Sequence, residues 1–355
     1  MEKKILLTDC PDAKGLIAKI TNICYKHQLN IIKNDEFVDH ENGRFFMRTE
    51  LEGRFNDETL LADLDDALPT GAQRRLVKAG KKRIVILVTK ETHCLGDILM
   101  KNYAGALDMD IVAVIGNYDT LAELTGKFDI PFHTVSHDDL SRTEHEEQVR
   151  AIVDSYEPDY VILAKYMRVL TPSFVEAYPR KILNIHHSFL PAFIGARPYR
   201  QAFDRGVKLI GATAHFVTDD LDEGPIVEQD VIHVGHAFSA DDMAKAGRDV
   251  EKSVLSRALE LVLNERVFVY GNKTVVFKSF AHMARMQTPE TTTAPAGAVV
   301  VSAPSVRAAD RLPSPRPSPA SARRSALACR PSDNPSGSAD RAWGPVAAPP
   351  CPACR

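Results

Sequence analysis

Cysteine, net charge and long apolar runs are all scarce in this sequence, and each shortage excludes a class of protein. The 355 residues include only six cysteines, of which Cys10, Cys24 and Cys94 precede the C-terminal region. An odd number of widely spaced thiols does not make a disulfide framework and indicates a reduced, cytoplasmic protein. The formal net charge of −3 argues against nucleic acid as a partner, because such partners attract strongly basic surfaces.

Long apolar segments are also lacking. No run reaches the roughly 20 residues that a membrane-spanning helix needs, so we expect no membrane partner. The N-terminus passes directly into a strand-like segment without the apolar core of a signal peptide. The length of the chain is sufficient for two domains with substantial hydrophobic cores.

The composition changes abruptly near Lys278. Residues 281–355 contain 13 of the 22 prolines, together with many alanines, serines and arginines. Such a segment has too little apolar surface to fold, so we expect residues 278–355 to be a disordered, low-complexity tail. Cys351 and Cys354 form a single C-x-x-C pair, whereas a zinc site needs a second pair, so we expect no metal site.

Residues 1–80 predict one small domain. Apolar strands and amphipathic helices follow one another in the order βαββαβ, which is typical of a ferredoxin-like sandwich. The helix after Gly15 carries an apolar face that includes Ile17 and Ile20. Asn42-Gly43 lies between two strand-like runs and is a strong hairpin signal.

Residues 83–277 predict a second, larger domain. The apolar runs 83–89, 109–115 and 160–164 indicate strands that are buried on both faces. The segments between them have helical periodicity. This alternation predicts an α/β fold with a doubly wound, mostly parallel sheet.

A polar cluster follows the apolar run 181–183 and reads N-I-H-x-S-x-L-P, beginning at Asn184. Polar residues at the end of a buried strand usually lie at the carboxyl edge of the sheet, where ligands bind. Asn184 and His186 leave the same face of a strand, and an amide beside an imidazole suits acyl chemistry. A strand end with satisfied polar side chains would show the same pattern, so these two residues alone do not establish catalysis.

A second motif begins at His215 and reads H-F-V-x-x-x-x-D-x-G-P-I. Together the two motifs resemble the formyltransferase family that uses 10-formyltetrahydrofolate, over roughly residues 83–277. The resemblance implies that Asn184, His186 and Asp222 are catalytic. It also implies a folate-binding segment, and the residues expected to bind folate are Met167, Arg168, Val169, Leu170 and Asp219. His215 itself we interpret as a structural histidine.

The first domain has Asp12-x-x-Gly15-Leu16-Ile17 at the start of a helix and Asn30-Ile31 at the start of the next strand. This pattern resembles the ACT family, whose members bind small effectors, mostly amino acids, between paired domains. The resemblance implies a homo-oligomer and an effector site formed by Asp12, Gly15, Leu16, Asn30 and Ile31. Glycine at a helix start lets a ligand approach free N–H groups, which favour a carboxylate. Alternatively, Gly15 only permits close packing, and the domain is a dimerisation device.

An ACT domain followed by a formyltransferase domain resembles the formyltetrahydrofolate deformylase family. This implies hydrolysis of 10-formyltetrahydrofolate to formate and tetrahydrofolate, supply of formate for purine biosynthesis and balance of the folate pools. It implies no cofactor, and methionine and glycine as effectors. The alternative is a glycinamide ribonucleotide formyltransferase, although Glu91 and Asp97 flank the place of its phosphate-binding loop and would repel an anion. An amino-acid sensor on an inactive enzyme domain is a third reading, which the intact triad opposes.

Overall fold

The computed structural model describes residues 1–192 and 197–278. Their strands are β1 Glu2–Pro11, β2 Asn30–Asp39, β3 Arg44–Gly53, β4 Gln73–Lys78, β5 Lys82–Val88, β6 Met109–Gly116, β7 Phe132–Thr134, β8 Tyr160–Leu163, β9 Ile182–His186, β10 Leu209–Phe216, β11 Ile226–His233, β12 Val267–Tyr270 and β13 Lys273–Val276. Their helices are α1 Leu16–Lys26, α2 Asp57–Ala67, α3 His93–Tyr103, α4 Ala122–Gly126, α5 Arg142–Tyr156, α6 Pro172–Ala177, α7 Pro198–Arg205 and α8 Ala240–Leu263. None of these helices is long and apolar enough to cross a membrane.

The first four strands form an antiparallel sheet in the order β2-β3-β1-β4. Helices α1 and α2 pack on one face and bury a core with Leu6, Leu51 and Leu60. The predicted βαββαβ fold is confirmed. One detail of the prediction is wrong, because Ile17 is 44 % exposed. The buried stripe of α1 runs through Leu16 and the residues one and two turns later, and Ile17 lies about 100° away from it around the helix.

The second sheet has seven strands in the order β11-β10-β9-β8-β5-β6-β7. Strands β5 to β9 are parallel, and β10 and β11 are antiparallel to their neighbours. Hydrophobic cores lie on both faces, one against α3 and α8 and the other against α5 and α6. The predicted doubly wound, mostly parallel sheet is therefore confirmed. From β5 the next strands are added on one side of the sheet, and from β8 onward they are added on the other side, so the strand order switches between β5 and β8. Ligands bind such sheets at this switch point.

The hairpin β12–β13 and the end of α8 hold the open face of the small sheet against the large domain. Phe46 of β3 contacts Phe268 of β12 edge to face, with ring centroids 5.6 Å apart. The buried guanidinium of Arg48 donates to the backbone oxygens of Asn264 and Glu265, at 2.8 and 2.9 Å. Both sheets consequently belong to one compact unit.

The last described residue, Lys278, is attached to this unit. Its Nζ lies 2.9 Å from Oε2 of Glu228, a carboxylate on β11 that is almost fully buried. The remainder of the expected tail, residues 279–355, lies outside the described residues.

Candidate active site

The two motifs meet where β9 ends. Asn184 and His186 are on β9, and Asp222 is in the loop between β10 and β11. Nδ1 of His186 lies 3.2 Å from Oδ1 of Asp222. Strand β10 pairs antiparallel with β9 and places His215 directly opposite Asn184. This register brings the ends of both motifs into one cluster at the carboxyl edge of the sheet.

His215 is part of this cluster, which the sequence interpretation missed. Its Nδ1 lies 3.0 Å from the backbone oxygen of Phe216, which can only accept, so Nδ1 carries the proton. Nε2 therefore accepts the hydrogen bond from the side-chain nitrogen of Asn184, at 3.2 Å. Burial lowers the pKa of His215 and keeps the ring neutral. His215 is buried as a structural histidine would be, and it also orients the Asn184 amide.

The charge state of Asp222 follows from its neighbours. Partial burial raises the pKa of Asp222, but the hydrogen bond from His186 and the electrostatic effect of the neighbouring imidazoles outweigh it. The net result is a pKa below the ordinary value, so the carboxylate is ionised at neutral pH. Nδ1 of His186 donates to this carboxylate. Nε2 of His186 is buried and has no hydrogen-bond partner among the described residues, so it is free for a substrate.

A cavity of about 300 Å³ opens onto the cluster. Asn184, His186 and Asp222 line it together with every residue that the sequence predicted for folate binding, namely Met167, Arg168, Val169, Leu170 and Asp219. The side chains of Met167 and Val169 are about half exposed, at 55 and 50 %. Exposed apolar side chains beside a polar centre suit a flat aromatic ligand.

The loop after β8 that carries these apolar residues is held from both ends. The backbone nitrogen of Met167 donates to Oγ1 of Thr89, at 3.0 Å. Arg142, at the start of α5, donates to the backbone oxygens of Val169 and Leu170, at 2.7 and 2.8 Å. These contacts fix one wall of the cavity, and Arg142 carries no signal in the sequence that would identify this role.

The expected effector residues divide into two kinds. Gly15 has a φ of +81°, and no atom lies within 4 Å of the place where a Cβ would stand, so its backbone is open to a ligand. The side chains of Asp12 and Asn30 are exposed. Leu16 is in the hydrophobic core and Ile31 packs against it. These two side chains therefore serve the core, and an effector could use only their backbone groups.

One group among the described residues has side chains that could bind a metal ion. His93, Cys94 and Glu251 place their ligand atoms within 4.8 Å of one another. However, the Lys165 ammonium lies 3.2 Å from Glu251 and already supplies the positive charge. Burial and the Glu251 charge raise the pKa of the Cys94 thiol, which disfavours the thiolate that a metal needs. The arrangement is that of an ion-pair network.

The loop that carries Asp222 closes through a contact that only glycine allows. A Cβ on Gly224 would lie 1.7 Å from the backbone oxygen of Phe216 and 3.3 Å from Nδ1 of His215. The backbone nitrogen of Phe216 in turn donates to the backbone oxygen of Pro225, at 2.9 Å. The glycine of the second motif thus allows the loop that carries Asp222 to pack closely against the end of β10.

Comparison with known proteins identifies both parts of the chain. The formyl transferase family matches residues 82–259, and the ACT domain family matches residues 4–68. A formyltetrahydrofolate deformylase from Escherichia coli O6:H1 is 69 % identical over 276 residues, which cover 78 % of this chain and 99 % of the relative. A formyltetrahydrofolate deformylase from Bacillus subtilis is 43 % identical over 283 residues, which cover 78 % of this chain and 94 % of the relative.

Solved structures give the same result. A formyltetrahydrofolate deformylase from Pseudomonas syringae is 40 % identical with a TM-score of 0.75, over 78 % of this chain and 95 % of that one. A glycinamide ribonucleotide transformylase from Symbiobacterium toebii is 29 % identical with a TM-score of 0.54, over 56 % of this chain and 95 % of that one. The similarity to the deformylase thus extends over more of the chain than the similarity to the transformylase.

The close contact at Gly224 generates a prediction. Gly224→Ala should lower stability by about 1–3 kcal/mol, the usual cost of overpacking, and should reduce turnover because Asp222 moves from His186. Gly235→Ala is the matched control, since no atom lies within 4 Å of its Cβ position. Thermal unfolding and kcat are measured for both variants. A Gly224→Ala protein with unchanged kcat would contradict the assigned role of this glycine.

Proposed function

The chain belongs to the formyltetrahydrofolate deformylase family, and we propose that it hydrolyses 10-formyltetrahydrofolate to formate and tetrahydrofolate through Asp222, His186 and Asn184. The observation that carries this assignment is the ionised Asp222 beside His186 at the end of a cavity lined by the folate loop. The released formate supplies purine biosynthesis, and the reaction balances the folate pools. No cofactor is required by this chemistry.

The reaction requires a base, an oxyanion site and a proton donor. Asp222 and His186 position a water molecule and accept its proton as the water oxygen bonds to the formyl carbon. The Asn184 amide and His186 then stabilise the negative charge on the formyl oxygen. When the intermediate collapses, the bond from carbon to the folate nitrogen breaks, and that nitrogen receives the proton that Asp222 and His186 took from water. The products are tetrahydrofolate and formic acid, which ionises to formate.

The folate ring would occupy the cavity beside the loop after β8. Met167 and Val169 offer apolar contact to a flat ring, and the backbone groups of Leu170 lie next to them. Arg168 would pair with a folate carboxylate, because a guanidinium binds carboxylates in a bidentate manner. Asp219, on the opposite loop, would accept hydrogen bonds from the substrate.

Hydrolysis is favoured over formyl transfer to glycinamide ribonucleotide. The deformylases match this chain along almost their whole length, including the ACT domain. Of the two carboxylates expected to repel a phosphate, Glu91 lies beside His93 at 3.4 Å and Arg248 at 3.6 Å. Asp97 likewise accepts a hydrogen bond from Lys101 at 2.7 Å, so the charges of both carboxylates are compensated and the choice rests on the similarity to the deformylases.

We also propose that the chain divides into a regulatory ACT domain, residues 1–80, and a catalytic domain, residues 83–277, which the low-complexity segment 278–355 follows. Lys278, the first residue of that segment, contacts Glu228 of the catalytic domain at 2.9 Å. The ACT domain would bind an amino-acid effector near Asp12, Gly15 and Asn30, in a homo-oligomer in the cytoplasm.

The catalytic assignment is tested by formate release from 10-formyltetrahydrofolate without an added acceptor. The unaltered protein should release formate, and Asp222→Asn should lose roughly 10²–10⁴-fold in kcat because an amide cannot accept a proton. Asn184→Ala should lose roughly 10²–10³-fold, the usual effect of removing an oxyanion donor. Asp110→Asn, at an exposed carboxylate of β6 outside the cavity, is the control. A folded Asp222→Asn protein with a near-normal rate would refute the triad.

The regulatory assignment is tested by titration with amino acids. Methionine should activate and glycine should inhibit, with a coupling of about 1–3 kcal/mol between the two sites. Calorimetry measures binding, and the formate assay measures the effect on rate. Asp12→Ala should weaken binding, whereas Asp66→Ala, at an exposed carboxylate of α2, should not. If no amino acid binds at millimolar concentration, the ACT domain serves assembly alone.

A further inference from the structure

A buried ion pair that the proposed chemistry does not use lies next to the catalytic residues. Nζ of Lys165 is 3.2 Å from Oε2 of Glu251, and the two side chains are only 4 and 1 % exposed. His93 Nε2 and the Tyr199 hydroxyl also donate to the Glu251 carboxylate, at 2.7 and 2.6 Å. We call Lys165, Glu251, His93 and Tyr199 the lysine cluster.

The lysine cluster borders the catalytic cavity. Lys165 and His187 line the same cavity as Asn184, His186 and Asp222. The ring of His187 lies between the two groups, with its centroid 5.1 Å from that of His186 and 6.2 Å from that of Tyr199. The cluster therefore forms a wall beside the catalytic histidine.

The pKa values of Glu251 and His187 determine the charges in and beside the lysine cluster at neutral pH. Burial raises the pKa of Glu251, but hydrogen bonds from His93 and Tyr199 and the charge of Lys165 outweigh it and leave the pKa at about 2. Burial, with the Lys165 charge, lowers the pKa of His187 to about 4. At neutral pH the wall thus presents an ammonium beside a neutral imidazole.

Several local features of the lysine cluster are unfavourable for the stability of the fold. Lys165 has a left-handed backbone, with a φ of +62°, which is unfavourable for a side chain other than glycine. Helix α8 carries Gly247, whose Cβ position lies 2.1 Å from the Tyr199 hydroxyl oxygen, so a larger residue would displace that ring. A buried ion pair is also less favourable for stability than apolar packing would be. These costs indicate that the cluster has a function.

We propose that Lys165 makes the site select water over an amine as the acceptor of the formyl group, an inference that rests on the proposed hydrolysis. The Lys165 side chain occupies space in the wall of the cavity that an amine acceptor bound beside Asn184, His186 and Asp222 would need, and water is small enough to enter.

The test measures how the formyl group partitions between two acceptors. Protein is incubated with 10-formyltetrahydrofolate and glycinamide, a small primary amine, and the ratio of formylglycinamide to formate is determined by chromatography. Lys165→Gly removes the charge and the bulk at a φ that glycine tolerates, and it should raise the ratio at least tenfold. Lys165→Arg keeps both properties and should retain the ratio of the unaltered protein.

The ratio does not depend on total turnover, so a merely structural role would leave it unchanged. Because Lys165→Gly leaves the Glu251 charge without its cation, Lys165→Gly with Glu251→Gln is a second variant that removes both charges, and circular dichroism verifies its fold. An unchanged ratio in a folded, active variant of either kind would overturn the inference. Absence of formate from the unaltered protein would instead refute the proposed hydrolysis.

Discussion

The hydrogen bond between His186 and Asp222 is the interaction on which the site depends. Its two partners come from separate segments of the chain. A partly buried carboxylate such as Asp222 is stable only beside a hydrogen-bond donor or an opposite charge. The antiparallel pairing of β9 with β10 brings the segments together, and Gly224 lets the intervening loop close against Phe216. The geometry of the proposed catalytic pair therefore depends on backbone contacts, and His215 orients the third proposed member, Asn184, from the neighbouring strand.

Helix α8 connects this site with the small domain. Glu251, near its middle, binds Lys165 beside the catalytic cavity, and the backbone oxygens that follow its last turn accept hydrogen bonds from Arg48 of the ACT sheet. Arg48 is buried, and two of its nitrogens are satisfied by those oxygens while the third donates to Glu50 at 2.7 Å. A displacement of the ACT sheet would thus act directly on the helix that holds Lys165.

The sequence predicted both domains because their periodicities are strong and their motifs are specific. The cavity also contains each predicted catalytic and folate-binding residue, from Met167 to Asp222. Three features were not predictable. The role of His215 depends on the register between β9 and β10, Ile17 misses the buried stripe of its helix by one position, and the lysine cluster joins residues from four separate segments. Each depends on tertiary contacts that local patterns do not encode.

The most direct test of the account is a double-mutant cycle between His186 and Asp222. kcat is measured for His186→Ala, for Asp222→Asn and for the protein that carries both changes. Residues that act as one unit show strongly non-additive losses. The account predicts that the double variant is about as slow as the slower single variant. Losses that multiply, so that the double variant is slower by the product of the two, would show that the residues act independently and would contradict it.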